Sequence, residues 1–427
     1  MKLLFEADAT PSAAELGRLL HRAVGSRADE EWVSIAEMLL DRGADPGVRD
    51  NFGALPSDVL RQRGDMHIPG VRELHSRMIS MLRASGRATG LGPAEVVLLP
   101  HHSVAAHPER PEALSIMFSG TVLVRWRLGP ILYPLEVIRI SRSDERWGSP
   151  GSTAAAVLAL SGDREIQLHN WSAPRRYREV DPELLPEDMY RSAVLSPDGR
   201  FLVATSCERL HLIDLERNVV VCEPWGFGDW SVEPRFSPDG KILAVGNSMQ
   251  GSWWLEVLDV ADNGMLCRRY AREDYDLPGR RCAEIISDLV FSPGGDTFAT
   301  WVRPDFGRGL PNGYRGLVVV TLTRTGDRVW QLLVDNDIAG APGQAESATL
   351  AYTPDGTLLA IGLGTGVLWV DAATGAVVGR DHSVGAVNAL TMHHVYGILA
   401  ATNRGLGRLE ASASDPEGHG FSGCAGE

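Results

Sequence analysis

The chain has 427 residues, 44% of them apolar and 22% charged, and a formal charge of −14. That length exceeds one ordinary core and suits two domains, one of which can run past roughly 300 residues if it is a closed ring of repeats. The composition excludes wholesale disorder and a membrane class, and net acidity with scattered basic residues argues against a nucleic-acid partner.

The opening MKLLFEADAT loses its apolar run at Glu6 and Asp8, before signal-peptide length, and no window approaches the roughly 18 uninterrupted apolar residues of a membrane span. A cytoplasmic protein without membrane contact is therefore expected. Cys207, Cys222, Cys267, Cys282 and Cys424 form an odd set with no C-x-x-C spacing, which points to reduced thiols rather than a disulfide framework or zinc knuckle. Lys2 and Lys241 are the only lysines, consistent with a GC-rich bacterial genome.

Residues 1–85 read as helical. Ile35, Met38, Leu39 and Leu40 form an apolar stripe of helical spacing, and Gly43 is placed to end that helix in the left-handed conformation. Val71 to Leu82 supplies a further apolar helix. Leu20-His21-x-Ala23, Leu39-Leu40-x-x-Gly43-Ala44-Asp45-Pro46 and Asp50-x-x-Gly53 resemble elements of the ankyrin repeat. The resemblance covers about two repeats over residues 12–85, the second degenerate, and implies a turn-bonding structural role for His21. Two such repeats bury too little apolar surface alone, so docking against the rest of the chain is expected.

A Gly-rich linker, 86–95, leads into residues 96–411, where short β-rich runs alternate with a recurring tetrapeptide: SPDG at Ser196, SPDG at Ser237, SPGG at Ser292 and TPDG at Thr353. Proline presets φ for the first central position of a turn and glycine accepts positive φ, so each tetrapeptide between apolar runs predicts a β-hairpin. A third run and usually a fourth follow each hairpin, as in LHLIDLERNVVVC and VLWVDAATGAVVG. Four antiparallel strands per repeat make a propeller blade. The pattern resembles the WD40 and TolB-like propellers, whose third strand commonly ends in Asp, as Asp214, Asp259 and Asp371 do here; the Gly-His and Trp-Asp pairs are missing. The expected fold is mainly β: a seven-bladed β-propeller behind a small N-terminal α-helical, ankyrin-like domain. The last blade lacks a fourth strand of its own, and pairing it with 95–99 would close the ring. The tail, 412–427, is polar and Gly/Ser-rich and is expected to be disordered.

No G-x-S-x-G, H-E-x-x-H or Walker pattern occurs, so no enzyme activity, cofactor or catalytic residue is assigned. Gly362-x-Gly364-x-Gly366 joins two strands and reads as a tight hairpin rather than a phosphate loop. His101, His102, His107, His393 and His394 would approach one another on ring closure, but strand direction assigns the first group and the last pair to opposite faces, so no metal site is expected.

Successive tetrapeptides lie 41, 55 and 61 residues apart, longer than minimal blades, and topology sends the extra residues to the face opposite the turns. The candidate partner-binding residues there are Trp225, Phe227, Trp230, Met249, Trp253, Tyr275, Asp276 and Phe306, because aromatic anchors with interspersed charge are enriched at protein interfaces. Trp254 and Trp301 adjoin strands and read as core. The expected function is a non-catalytic protein–protein interaction scaffold or regulator, its acidity favouring a basic partner. A narrower version is an immunity or inhibitor protein. From another class, a propeller hydrolase or lyase could use Asp229, Asp276 and Asp305 near the central channel.

Overall fold

The computed structural model describes residues 12–25, 31–48, 56, 74, 77–78, 81, 101–117, 122–129, 131–139, 150–154, 157–161, 166–171, 173–185, 190–206, 209–226, 230–231, 234–249, 252–273, 284–304, 314–335, 348–410 and 422–423. Helix α1 spans Ala13–Gly25 and helix α2 spans Glu31–Asp41. The first starts in a capping box: the Ser12 hydroxyl accepts the Glu15 N–H (3.3 Å) while the Glu15 carboxylate accepts the Ser12 N–H (2.8 Å). The second ends at Gly43, φ +86°, with the Gly43 N–H on the Leu40 carbonyl (3.0 Å) and the Ala44 N–H on the Leu39 carbonyl (2.9 Å). That bond pair is a Schellman motif, and it satisfies carbonyls that the helix end would otherwise orphan.

Leu16, Leu20, Trp32, Leu39 and Ala44 form a core that Leu74 and Met78 complete. Among the described residues this core contains no strand residue. What the structure shows here is two short helices, not an ankyrin-repeat domain.

The rest is mainly β, in a propeller arrangement. Among the described residues the strands form seven sheets, covering 101–139, 150–179, 190–226, 230–273, 284–335, 349–381 and 387–423. Six of these are built from contiguous chain, one fewer complete blade than the seven expected. In the fourth sheet the first strand is broken into Trp230–Ser231 and Arg235–Phe236, both paired with Ile242–Met249. The last sheet has three contiguous strands, and its outer strand is Ser422–Gly423, paired with Gly407 and Arg408. This pair lies in the tail expected to be disordered; 95–99, expected to supply that strand, falls outside the described residues.

Apolar cores lie between consecutive sheets. Ala299, Trp301 and Val320 meet Leu350, Leu359 and Ile361, and Val104, Trp126 and Leu128 meet Leu399, Ala401 and Leu406, joining the first sheet to the last. Interior strands are covered on both faces and are therefore nearly continuous in burial, as in Arg209–Asp214, whereas the outer strand Arg328–Asp335 is exposed at half of its positions and buried at only two.

The tetrapeptides make the hairpins as expected. The Ser196 hydroxyl donates to Asp198 (2.5 Å) and accepts the Phe201 N–H (2.8 Å), the same bonds recur at Ser237 and Thr353, and the turn glycines have φ of 70–75°. Asp214 and Asp371 each cap the next turn, accepting the N–H groups of Glu216 and Arg217 and of Ala373 and Thr374. Farther out, the Trp330 indole N–H donates to the Ala372 carbonyl of the next sheet (2.8 Å), and the Tyr270 hydroxyl reaches the Thr323 carbonyl (3.3 Å). Tyr270 is a joint between the fourth and fifth sheets.

Candidate functional site

Strand direction defines two faces. In the third sheet, Tyr190–Leu195 runs toward the Ser196 turn, Phe201–Ser206 away from it, Arg209–Asp214 back, and Val219–Gly226 away again. The face opposite the turns therefore collects the ends of second and fourth strands and the starts of first and third strands.

Four candidate residues occur in the backbone of that face, in strands rather than in the loops where sequence put them. Trp225 stands opposite Leu210 near the end of an outer strand. Trp230 and Trp253 both stand opposite Ser248, one from each side, and Met249 stands opposite Ser252. The hairpin here extends to Met249 and resumes at Ser252, because backbone pairing continues past the apolar core that marks the strands in sequence. Phe227, Tyr275, Asp276 and Phe306 lie outside the described residues, as do Asp229 and Asp305. Trp301 is fully buried against Gly316, as expected.

Around the inner strands, side chains bond from one sheet to the next. The Arg235 guanidinium approaches the Asp288 carboxylate (3.6 Å). Asp288 in turn accepts the Leu289 N–H (2.8 Å) and, across the junction, the Leu350 N–H (2.7 Å). Thr349 accepts the Leu390 N–H (3.1 Å), and the Asn388 amide donates to the His101 carbonyl (2.7 Å), joining the last sheet to the first. Three of these strands carry a bulge, between Ile286 and Asp288, Val387 and Ala389, and His101 and Ser103, which frees backbone groups for such bonds. Sequence reasoning missed this series. Its signal was a polar residue four positions before the turn residue, Asp288 before Ser292 and Thr349 before Thr353.

Apart from Glu15, which the Ser12 N–H of the α1 capping box lowers, the perturbed carboxylates belong to the turns. Burial alone would raise Asp214 and Asp239, but the N–H groups of Arg217 and Glu216 and the Arg200 side chain hold Asp214 below the usual aspartate range, and the Ser237 hydroxyl and Lys241 do the same for Asp239. Asp355 is lowered by the Thr353 hydroxyl and Asp371 by the Thr374 hydroxyl. These acids sit on the turn face and hold backbone, which accounts for their shifts without a reaction.

The histidines fall differently from expectation. His101–Ala106 is itself the inner strand of the first sheet, so His107 lies at a turn on the same face as His393. His101 is buried at the other end, in a chain in which the Trp126 indole N–H donates to Ser115 Oγ (2.7 Å) and Ser115 Oγ bonds His101 Nδ1 (2.9 Å). No group of three or more His, Cys, Asp or Glu suited to a metal occurs among the described residues. The side chains of His21 and His102 lie outside the description. Gly362–Gly366 forms the expected hairpin, Leu363 pairing with Gly366. Beside it a shallow, open hollow is lined by Leu363, Thr365, Arg380 and His382.

No protein-family model matches the chain, and no curated protein matches it. Among solved structures, the chain resembles the Kuenenia stuttgartiensis hydrazine synthase, with a TM-score of 0.56 and 13% identity over 74% of this chain and 97% of that one. At that identity the likeness shows the β-propeller fold alone. The fold recurs in 1042 matching chains, too many to single out an activity. Among the described residues, no helix is long and apolar enough to cross a membrane.

Proposed function

We propose that this chain is a non-catalytic interaction scaffold or regulator that engages a protein partner through the face opposite the turns. The observation that carries the reading is the convergence of Trp225, Trp230, Met249 and Trp253 on the strand ends of that one face, Trp230 and Trp253 flanking the single residue Ser248. Aromatic residues and Met on one face are what the centre of a protein interface enriches. In this reading the last sheet, completed by Ser422–Gly423, is a seventh blade that closes a WD40- or TolB-like ring, and the helices around the Gly43 motif are a reduced ankyrin module of about two repeats. The setting is the cytoplasm of a bacterium. The formal charge of −14 favours a basic partner surface by raising encounter rates, and a partner of toxin type would make the chain its inhibitor.

A photo-crosslinking amino acid at Trp253, compared with one at Val395 on the turn face, tests the reading in cells. Discrete crosslinked species from position 253, absent from 395, are expected. Equal or no crosslinking at 253 with discrete products at 395 would move the interface to the turn face.

A further inference from the structure

Two buried histidines hold the junction between the first and last sheets on the turn face; they are 1% and 2% exposed for His107 and His393. His107 Nδ1 accepts the N–H groups of Glu109 (3.0 Å) and Arg110 (2.9 Å). His393 Nδ1 accepts those of Val395 (3.1 Å) and Tyr396 (3.2 Å), and its Nε2 donates to the Arg110 carbonyl (2.8 Å). Arg110 is thus gripped twice, its N–H by an imidazole of its own sheet and its carbonyl by an imidazole of the last sheet. Each Nδ1 works only as an acceptor. A proton there would point an N–H at two N–H donors.

The surroundings reinforce the neutral state. The His393 ring stacks on His394 with centroids 4.6 Å apart and 20° between planes, and meets Tyr396 at 5.1 Å; a charge on one imidazole opposes a charge on the other. His107 lies edge-on to Trp171 of the second sheet at 4.9 Å. The titratable groups of the packed elements include the exposed Glu109 and Arg110, Glu112, which faces Arg125 (3.6 Å), Arg408, which pairs with Glu410, and Tyr352 on the neighbouring inner strand, its hydroxyl pushed up to about 12 by burial and so neutral throughout. Burial lowers His393 below the ordinary histidine value; the bond to the Arg110 carbonyl opposes this and the charge of His394 adds to it.

We propose that His107 and His393 form an acid-sensitive clasp: their neutral Nδ1 atoms fasten the turns at 109–110 and 395–396 that set Arg110 against His393, and protonation of either at Nδ1 releases its turn and so loosens the seating of the last sheet on the first, although the Nε2–H bond to the Arg110 carbonyl persists. The direction follows from linkage. A folded-state pKa below the ordinary value means that the unfolded chain binds more protons, so the contribution of His393 is complete above about pH 6.5 and is lost as pH falls through the folded value.

The test is hydrogen exchange by mass spectrometry on the full chain at pH 7.5 and 5.5, corrected for intrinsic rates. Peptides from 101–117 and 387–409 are compared with control peptides from 284–304. In the wild type, opening at the junction should rise several-fold at the lower pH while the control stays constant. A His107→Asn, His393→Asn double variant, whose amide oxygens can still accept turn N–H groups, should lose that pH dependence. Unchanged wild-type protection at the junction across this range overturns the proposal, as does a pH dependence that persists in the variant. If the variant does not fold, ¹⁵N NMR of the wild-type imidazoles decides: His393 must be the Nε2–H tautomer and titrate below the ordinary range together with the junction amides, and an ordinary titration that leaves those amides unmoved refutes the clasp.

Discussion

Replacing Asp288 by alanine removes the acceptor that joins the fifth and sixth sheets near the central axis. The carboxylate holds the Leu289 and Leu350 N–H groups at 2.8 and 2.7 Å and faces Arg235 at 3.6 Å. Both N–H bonds go to a charged acceptor in a buried setting, where each contributes about 1.5–3 kcal/mol, and alanine leaves two donors unsatisfied. The expected loss is therefore about 3–5 kcal/mol, several times the cost of an exposed ion pair. Urea unfolding followed by intrinsic fluorescence measures it, with hydrogen exchange on 348–363 to localise the effect. Asp288→Asn, which keeps one acceptor oxygen, should recover part of the loss. A midpoint shift equivalent to less than about 1 kcal/mol for Asp288→Ala would refute the view that these inner bonds weld the sheets together.

Gly43 and Gly375 have φ of +86° and +75°, but a Cβ at Gly43 meets open space while one at Gly375 falls 2.8 Å from the Trp330 ring. Gly43→Ala should cost only the left-handed penalty of about 1–2 kcal/mol; Gly375→Ala should cost clearly more, with increased exchange confined to 328–335 and 366–381, and equal costs would contradict the contact. Ser12→Ala should destabilise the helical segment by about 1 kcal/mol, read as faster exchange in 13–25 with the strands unaffected. Asp214, Asp239, Asp355 and Asp371 all titrate below 3.8 when folded, so the unfolded chain binds more protons and stability falls as pH drops below about 4. The urea midpoint between pH 5 and 2.5 should decline, and Asp355→Asn should flatten that decline.

The hairpins were legible because SPDG and TPDG carry their own turn chemistry, independent of tertiary context, and Gly43 was legible because it directly follows an apolar stripe of helical spacing, where a helix end needs a residue that accepts left-handed φ. The first inner strand, HHSVAA, was read as a histidine cluster before a strand, since small and polar residues with no alternation look like a loop. Its burial comes from neighbouring sheets, which sequence periodicity does not register. For the same reason Asp288 and Asn388 did not stand out, as their partners are backbone groups 62 and 287 residues away. Trp225, Trp230, Met249 and Trp253 were assigned to loops and lie in strands, because strand pairing outruns the apolar pattern there. Ser422–Gly423 lies in a segment whose composition carries no strand signal.

The most direct measurement is affinity purification from native lysate with the wild type and with a Trp225→Ala, Trp230→Ala, Phe306→Ala variant shown by circular dichroism to be folded. Retention of a stoichiometric protein by the wild type and its loss from the variant is the result this account expects. Equal recovery by both would contradict an interface on the face opposite the turns and point instead to the helices or the turn face.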